Sequence, residues 1–137
     1  MNQEEIKENL QNALLGLVAN LNGNRARVME LVQLMVEEIP EFFTLLRKDL
    51  NLQQWRTASL RIHRSKVQFS YLERDDIFTE LSTWQTHLSG NEQKSIRVEL
   101  ERLHNIEMEA LTVSSMLKLT EFYASQILSH GSKGTTT

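Results

Sequence analysis

Apolar residues recur every three or four positions along most of this chain, which is the spacing of one buried face of an α-helix. The 137 residues contain only one proline and five glycines, the residues that most often interrupt helices. Short polar connections separate the periodic segments, an arrangement typical of antiparallel helices packed side by side. We therefore predict an all-α fold: an up-down antiparallel four-helix bundle with an additional N-terminal helix and a long C-terminal helix.

Capping and turn residues predict where the first three helices begin and end. Residues 3–21 form the first helix, and the Asn-Gly-Asn sequence at 22–24 ends it and caps the second. The second helix continues through Pro40 as one long, bent helix. Asn51 is the predicted N-cap of the third helix, which runs to about Leu72.

The second half of the chain predicts one short helix followed by one long helix. Asp75 or Asp76 caps the short helix, and Ser89 and Glu92 have the spacing of a capping box for the last one. A last helix of up to about 38 residues would be about 57 Å long, more than a compact domain needs. We therefore expect a break near residues 104–105 or a projecting end.

Composition limits the classes of function open to this chain. It lacks cysteine, and its four histidines show no short metal-ligand spacing, so we expect neither a metal site nor a cofactor. A formal net charge of −3 argues against nucleic-acid binding, and no apolar run approaches the roughly 20 residues that span a membrane. We expect a cytoplasmic monomer in which residues 1–130 form one domain and residues 131–137 are disordered.

Residues 55–72 carry the candidate chemistry, because they contain a single histidine, His63, and no acidic residue. A helix advances about 100° per residue, so His63 falls next to Ile62 at the edge of the predicted buried face. The pattern predicts an imidazole anchored in a helix yet reachable from water, with the Lys66 ammonium one turn further along. That buried face comprises Trp55, Ala58, Ile62, Ser65, Phe69 and Leu72, and the cations around the histidine are Arg56, Arg61, Arg64 and Lys66.

The spacing His63-x-x-Lys66 in an amphipathic helix, followed by a small polar run and a Tyr-Leu pair, resembles the signature of histidine phosphotransfer (HPt) domains. These domains belong to multistep two-component phosphorelays. The acidic, proline-containing segment 31–50 resembles the helix that precedes the phospho-acceptor helix in that family. The resemblance covers roughly residues 28–88.

The resemblance implies that His63 accepts a phosphoryl group and that Lys66 offsets its charge, since a neutral imidazole is a good nucleophile near pH 7. It implies a response-regulator receiver domain, a hybrid histidine kinase or both as partner. The receiver would supply the magnesium, the acceptor aspartate and most of the catalysis, so this chain would be a phosphoryl carrier and not an enzyme. The residues expected to contact the partner are Arg56, Ser59, Arg64, Val67 and Ser70.

Two positions depart from the family pattern, which usually has a small residue directly after the lysine and a glycine ten residues after the histidine. This chain has Val67 and Glu73 there. Val67 narrows the approach to His63, because residues four apart are neighbours on a helix. Asp75 and Asp76 are expected to end the helix in place of the glycine. Two alternatives stay open: a non-transferring HPt-like module that docks on a receiver or kinase, and an unrelated helical adaptor that uses its last helix.

Overall fold

The computed structural model describes residues 2–124, which lie in helices or in the short connections between them. The predicted all-α fold is confirmed for this part of the chain. The predicted domain end at residue 130 and the tail 131–137 lie outside the described residues. The helices are α1 (Gln3–Asn20), α2 (Arg25–Asn51), α3 (Trp55–Ser65), α4 (Val67–Tyr71), α5 (Asp75–Ser89) and α6 (Ile96–Leu117).

Helix α2 carries the largest share of the core. It packs against α1, α3 and α6, and α3 in turn packs against α5. The helix continues through Pro40, as predicted, and the ring of this residue is exposed. The buried face of α2 comprises Val28, Val32, Met35, Val36, Ile39, Phe42, Phe43, Leu46 and Leu50.

An ion pair joins the end of α2 to the middle of α3. The Asp49 side chain, in a residue 5% exposed, accepts hydrogen bonds from Arg61 Nε at 2.6 Å and from Arg61 Nη2 at 3.3 Å. A buried carboxylate requires such a partner, so this contact fixes how α3 is rotated about its axis. Arg61 is thereby removed from the set of cations available to a partner at His63.

The connection between α2 and α3 lies later in the chain than predicted. Asn51 is the last residue of α2 and not the N-cap of α3, which begins at Trp55. The buried side chain of Leu50 keeps α2 helical to this point. Gln53 then adopts a left-handed conformation with φ 55°, and the Gln54 N–H donates to the Asp49 carbonyl at 2.9 Å.

The helix that carries His63 is interrupted at Lys66, so the single helix predicted to run to Leu72 is wrong. The Phe69 N–H donates to the Lys66 carbonyl, three residues back, at 3.1 Å. The Ser65 carbonyl, one residue earlier, accepts a long hydrogen bond from the Gln68 side chain at 3.4 Å. This tightened turn separates α3 from α4 and places Lys66 at their junction.

Helix α4 ends in a Schellman motif centred on Glu73. The Arg74 N–H donates to the Phe69 carbonyl at 2.8 Å, and the Glu73 N–H donates to the Ser70 carbonyl at 3.0 Å. Glu73 has φ 56°, a left-handed conformation that glycine adopts without strain. The left-handed residue therefore stops the helix, and the expected stop by Asp75 and Asp76 is wrong.

The Arg74 guanidinium links the start of α5 to α6. It donates to both carboxylate oxygens of Asp76, at 3.0 and 2.9 Å, and to Glu109 at 3.0 Å. Neither predicted aspartate is the N-cap, because Arg74 occupies that position. The hydrogen bond from Arg74 lowers the pKa of Asp76, whereas burial and the nearby Asp76 charge raise the pKa of Glu109 despite its own ion pair.

Helix α6 is shorter than predicted and has no break at residues 104–105. It begins at Ile96 with Ser95 at the N-cap position, so the capping box predicted from Ser89 does not form. It ends at Leu117, whose carbonyl accepts a hydrogen bond from the buried Thr120 hydroxyl at 2.7 Å. This local bond competes with helix continuation. Residues 125–129 of the predicted long helix lie outside the described part of the chain.

The chain folds back after α6 within the described residues. Phe122 is fully buried, and the Arg25 guanidinium of α2 lies 4.5 Å from the centroid of its ring. Arg25 also forms an ion pair with Glu121, and the Glu121 N–H donates to Gln11 of α1 at 3.3 Å. Residues up to 124 therefore return to α1 and α2 instead of projecting from the molecule.

We predict that Glu73→Gly raises the free energy of unfolding by about 0.5–1 kcal/mol, because it relieves a non-glycine residue held at positive φ. Urea denaturation followed by circular dichroism measures the change. The matched control is Ser70→Gly in α4, which should lower stability by about 0.5 kcal/mol. Equal destabilisation by both substitutions would contradict the assignment of strain to Glu73.

The pKa directions predict opposite roles for the two acids around Arg74. Because the folded-state pKa of Asp76 is lowered, its ion pair stabilises the fold above the ordinary pKa of aspartate and is lost as the pH falls through the folded value. The raised pKa of Glu109 means that ionisation of this residue adds no stability at neutral pH.

Asp76→Asn should therefore destabilise the protein at pH 7 and flatten the loss of stability in acid, whereas Glu109→Gln should be neutral or stabilising at pH 7. Urea denaturation between pH 3 and pH 7 tests both substitutions. Equal destabilisation by Glu109→Gln and Asp76→Asn at pH 7 would show that the two ion pairs are equivalent.

Candidate functional site

His63 lies on the exposed side of α3, directly after the fully buried Ile62. Its Nδ1 atom is 3.3 Å from Nε2 of Gln85 on α5. With the amide donating, the neutral ring carries its proton on Nε2. Among residues 2–124, Nε2 of His63 has no hydrogen-bond partner, so one ring nitrogen is held and the other is available. The sequence prediction of an anchored but accessible imidazole agrees with this placement.

Lys66 reaches α5 one turn further along the same side. Its Nζ atom donates to Ser82 Oγ at 3.0 Å and lies 5.2 Å from the centroid of the Phe78 ring. Neither partner is charged. Within the described chain, Lys66 takes part in none of the ion pairs. The ammonium is thus held by neutral groups, and none of the described carboxylates pairs with it.

Three residues of α5 that were not predicted from the sequence complete the site: Phe78, Ser82 and Gln85. Their spacing of four and three puts them on one side of α5. His63 meets Gln85 and Lys66 meets Ser82, so α3 and α5 run antiparallel along this contact. Most residues of α5 are polar, so the sequence carried no signal that singled out Ser82 and Gln85, and only the packing of α5 on α3 identifies their partners.

The residues predicted to bind a partner do not all lie on the surface. Arg56, Arg64 and Ser70 are exposed. Ser59 is 5% exposed and its hydroxyl donates to the Gln85 carbonyl at 3.1 Å, so its placement on an accessible flank is wrong. It faces α5 because it precedes His63 by one turn on the side where the two helices touch.

Apolar side chains lie exposed around the histidine. Leu60 is 49% exposed, Val67 41% and Tyr71 43%. Their spacing of seven and four places them on one side of α3 and α4, together with His63 and Arg64. We call these five residues the His63 surface. Large exposed apolar residues grouped beside an arginine are typical of a protein contact more than of a solvated helix face.

The other described histidines lie in different surroundings. Nε2 of His87 is 3.1 Å from the buried carboxylate of Glu99, and its Nδ1 is 3.6 Å from Glu92. Trp84 Nε1 donates to the same Glu99 carboxylate at 2.9 Å. His104 is exposed on α6. Within residues 2–124, no group of three or more side chains could hold a metal ion, and no helix is long and apolar enough to cross a membrane.

We predict that diethyl pyrocarbonate modifies His63 as readily as His104 and modifies His87 much more slowly. The reagent needs the lone pair of an accessible ring nitrogen. Nε2 of His63 has no described hydrogen-bond partner, and a neutral imidazole can carry its proton on either nitrogen, so Nε2 can present a lone pair, whereas both nitrogens of His87 face carboxylates. Peptide mass spectrometry over a time course measures the three rates within one sample. Protection of His63 relative to His104 would contradict its accessibility.

Comparison with protein-family models, with curated proteins and with solved structures found no match to this chain. The function must therefore be inferred from the chain itself. Its distinctive feature is an exposed imidazole held through one nitrogen by Gln85, with the charged Lys66 ammonium one turn away.

Proposed function

We propose that this chain is a histidine phosphotransfer protein that carries a phosphoryl group on His63 between receiver-domain aspartates in a two-component phosphorelay. One observation carries the proposal. The His63 imidazole is hydrogen-bonded through Nδ1 only, and the Lys66 ammonium one turn away has no acidic partner among the described residues. Such a pair suits a nucleophile that must bear a dianionic group. The resemblance of the His63-x-x-Lys66 segment to the HPt family supplies the reaction.

The fold proposed for this function is an up-down antiparallel four-helix bundle formed by α2, α3 with α4, α5 and α6. Helix α1 is the additional N-terminal helix. The packing of α2 on α3 and α6, and of α3 on α5, supports this arrangement. In it, α3 and α5 together provide the phospho-acceptor site.

The transfer step needs the lone pair of Nε2 and a proton on Nδ1. Rotation of the Gln85 amide would let its oxygen accept that proton, and this oxygen is buried without a hydrogen-bond partner in the described arrangement. Nε2 attacks the phosphorus of an aspartyl phosphate, the N–P bond forms, the P–O bond breaks, and the aspartate leaves as a carboxylate. The Nδ1 proton stays on the ring and donates to Gln85.

Lys66 contributes charge to this step. A lysine ammonium has three N–H donors, of which one is given to Ser82. The remaining donors are available to phosphoryl oxygens on the ring. The partner receiver domain supplies the magnesium and the acceptor aspartate, so the chain is a carrier and not an enzyme.

The His63 surface suits docking of a receiver domain. Leu60, Val67 and Tyr71 offer apolar area around the ring, and the exposed Arg64 guanidinium favours approach of an anionic aspartyl phosphate. Val67 forms part of this contact area. We propose that a single copy of the chain, in the cytoplasm, docks on one receiver at a time.

The two departures from the family pattern fit this proposal differently. Glu73 takes the left-handed conformation for which the family uses glycine, so the backbone turn is retained at a cost in stability. Val67 adds a larger side chain next to His63. If a receiver domain binds this chain but transfers no phosphoryl group to His63, Val67 would favour the alternative of a docking module without transfer.

The test is incubation with purified receiver domains that have been phosphorylated with radiolabelled acetyl phosphate. Wild-type protein and His104→Gln, an exposed histidine control, should acquire acid-labile label, whereas His63→Gln should acquire none. Lys66→Ala should slow labelling by about tenfold or more with an unchanged circular dichroism spectrum, because the residue lies outside the core.

Two outcomes would overturn the proposal. Stable binding of the receiver to wild-type protein without label would identify a docking module. Neither binding nor label with any receiver tested would favour the helical adaptor.

A further inference from the structure

A lysine that stabilises a bound anion has to be held in place by groups that do not neutralise its charge. A lysine side chain has a flexible four-carbon stem, and it loses considerable conformational freedom when it is fixed. A carboxylate partner would fix it but would also compete with the phosphoryl group for the ammonium. The chain therefore needs a neutral anchor for Lys66.

Ser82 has the properties of such an anchor. Its hydroxyl accepts the hydrogen bond from Lys66 Nζ at 3.0 Å and carries no charge. The Phe78 ring, 5.2 Å from Nζ, adds a second neutral contact of the cation–π type. Both groups come from α5, so the ammonium is directed along the α3–α5 contact instead of extending into solvent.

The register of the two helices places this anchor at the phospho-acceptor. Ser82 and Gln85 are three residues apart on α5, and their partners Lys66 and His63 are three residues apart on α3 and its junction with α4. Residues three apart on a helix have Cβ atoms about 5–6 Å apart. The His63 ring and the ammonium held at Ser82 thus meet α5 about one helical turn apart, and the role argued for Ser82 requires that a phosphoryl group on Nε2 comes within reach of that ammonium.

We propose that Ser82 is a positioning residue for phosphotransfer: it holds the Lys66 ammonium beside His63 while leaving the charge of that ammonium for the phosphoryl group. This inference rests on the proposed function. It assigns Ser82 a role that acts through Lys66 and not through direct contact with the phosphoryl group. The residue at position 82 would then tune how fast His63 is phosphorylated.

The experiment compares labelling rates from a radiolabelled receiver domain for four variants of the 137-residue chain. Ser82→Ala, which removes the anchor, should slow labelling about 3- to 10-fold. Ser82→Asp, which neutralises Lys66, should slow it further, to the rate of Lys66→Ala. Ser82→Thr, which retains the hydroxyl, should preserve the wild-type rate within about twofold. Thr83→Asp adds the same charge at an exposed neighbouring position and should have little effect.

A double-mutant cycle separates positioning from a structural role. In the Lys66→Ala background, Ser82→Ala should cause no further loss of rate, because the hydroxyl acts only through the ammonium. Additive losses would overturn the proposal, as would wild-type rates for both Ser82→Ala and Ser82→Asp. If Ser82→Asp does not fold, the cycle with Ser82→Ala decides alone.

The result also distinguishes this inference from the function on which it rests. Absence of label on wild-type His63 would overturn the proposed function and this inference with it. Normal label on wild-type protein together with unaffected Ser82 variants would overturn only the role of Ser82.

Discussion

The orientation of α3 depends on the ion pair between Asp49 and Arg61. One residue after Arg61 comes the fully buried Ile62, and the next is the exposed His63. Since successive residues on a helix are about 100° apart, anchoring the first two directs the third away from the core. The exposure of the imidazole is thus a consequence of what its two predecessors bind. The buried Asp49 carboxylate on α2 therefore helps to determine which way the His63 ring on α3 faces.

Helix α5 turns this exposed histidine into an organised site. Gln85 engages one ring nitrogen, Ser82 and Phe78 engage the neighbouring ammonium, and the Gln85 carbonyl binds Ser59. None of these contacts introduces an opposite charge. Among the described residues, the site consequently combines a fixed geometry with an ammonium that no carboxylate pairs with, a combination that favours approach of an anion over approach of a cation.

Local periodicity predicted much of the fold because burial repeats along each helix. It predicted the continuous α2 through Pro40 and the position of His63 at the edge of a buried face. It did not predict contacts between helices, since the register of α3 on α5 depends on packing of the whole molecule. For that reason Ser59 was assigned to the surface, and Ser82 and Gln85 were not recognised.

The errors at helix ends have physical causes of a different kind. The stops at Gln53 and Glu73 use positive φ in residues other than glycine, which sequence signals for turns do not indicate. The end of α6 depends on a buried threonine hydroxyl that bonds to a nearby carbonyl. The junction at Lys66 replaces one backbone hydrogen bond by a side-chain contact from Gln68. Each is a local competition between hydrogen bonds of similar strength.

Helix α5 carries its buried apolar residues and its polar site residues on neighbouring strips of its surface. Ile77, Leu81, Trp84 and Leu88 are buried, whereas Ser82 and Gln85 lie on the side that meets α3. A substitution at either of these polar positions removes none of the four buried apolar side chains. The surroundings of His63 can therefore diverge through changes on a neighbouring helix, while the histidine itself and the architecture that supports it stay the same.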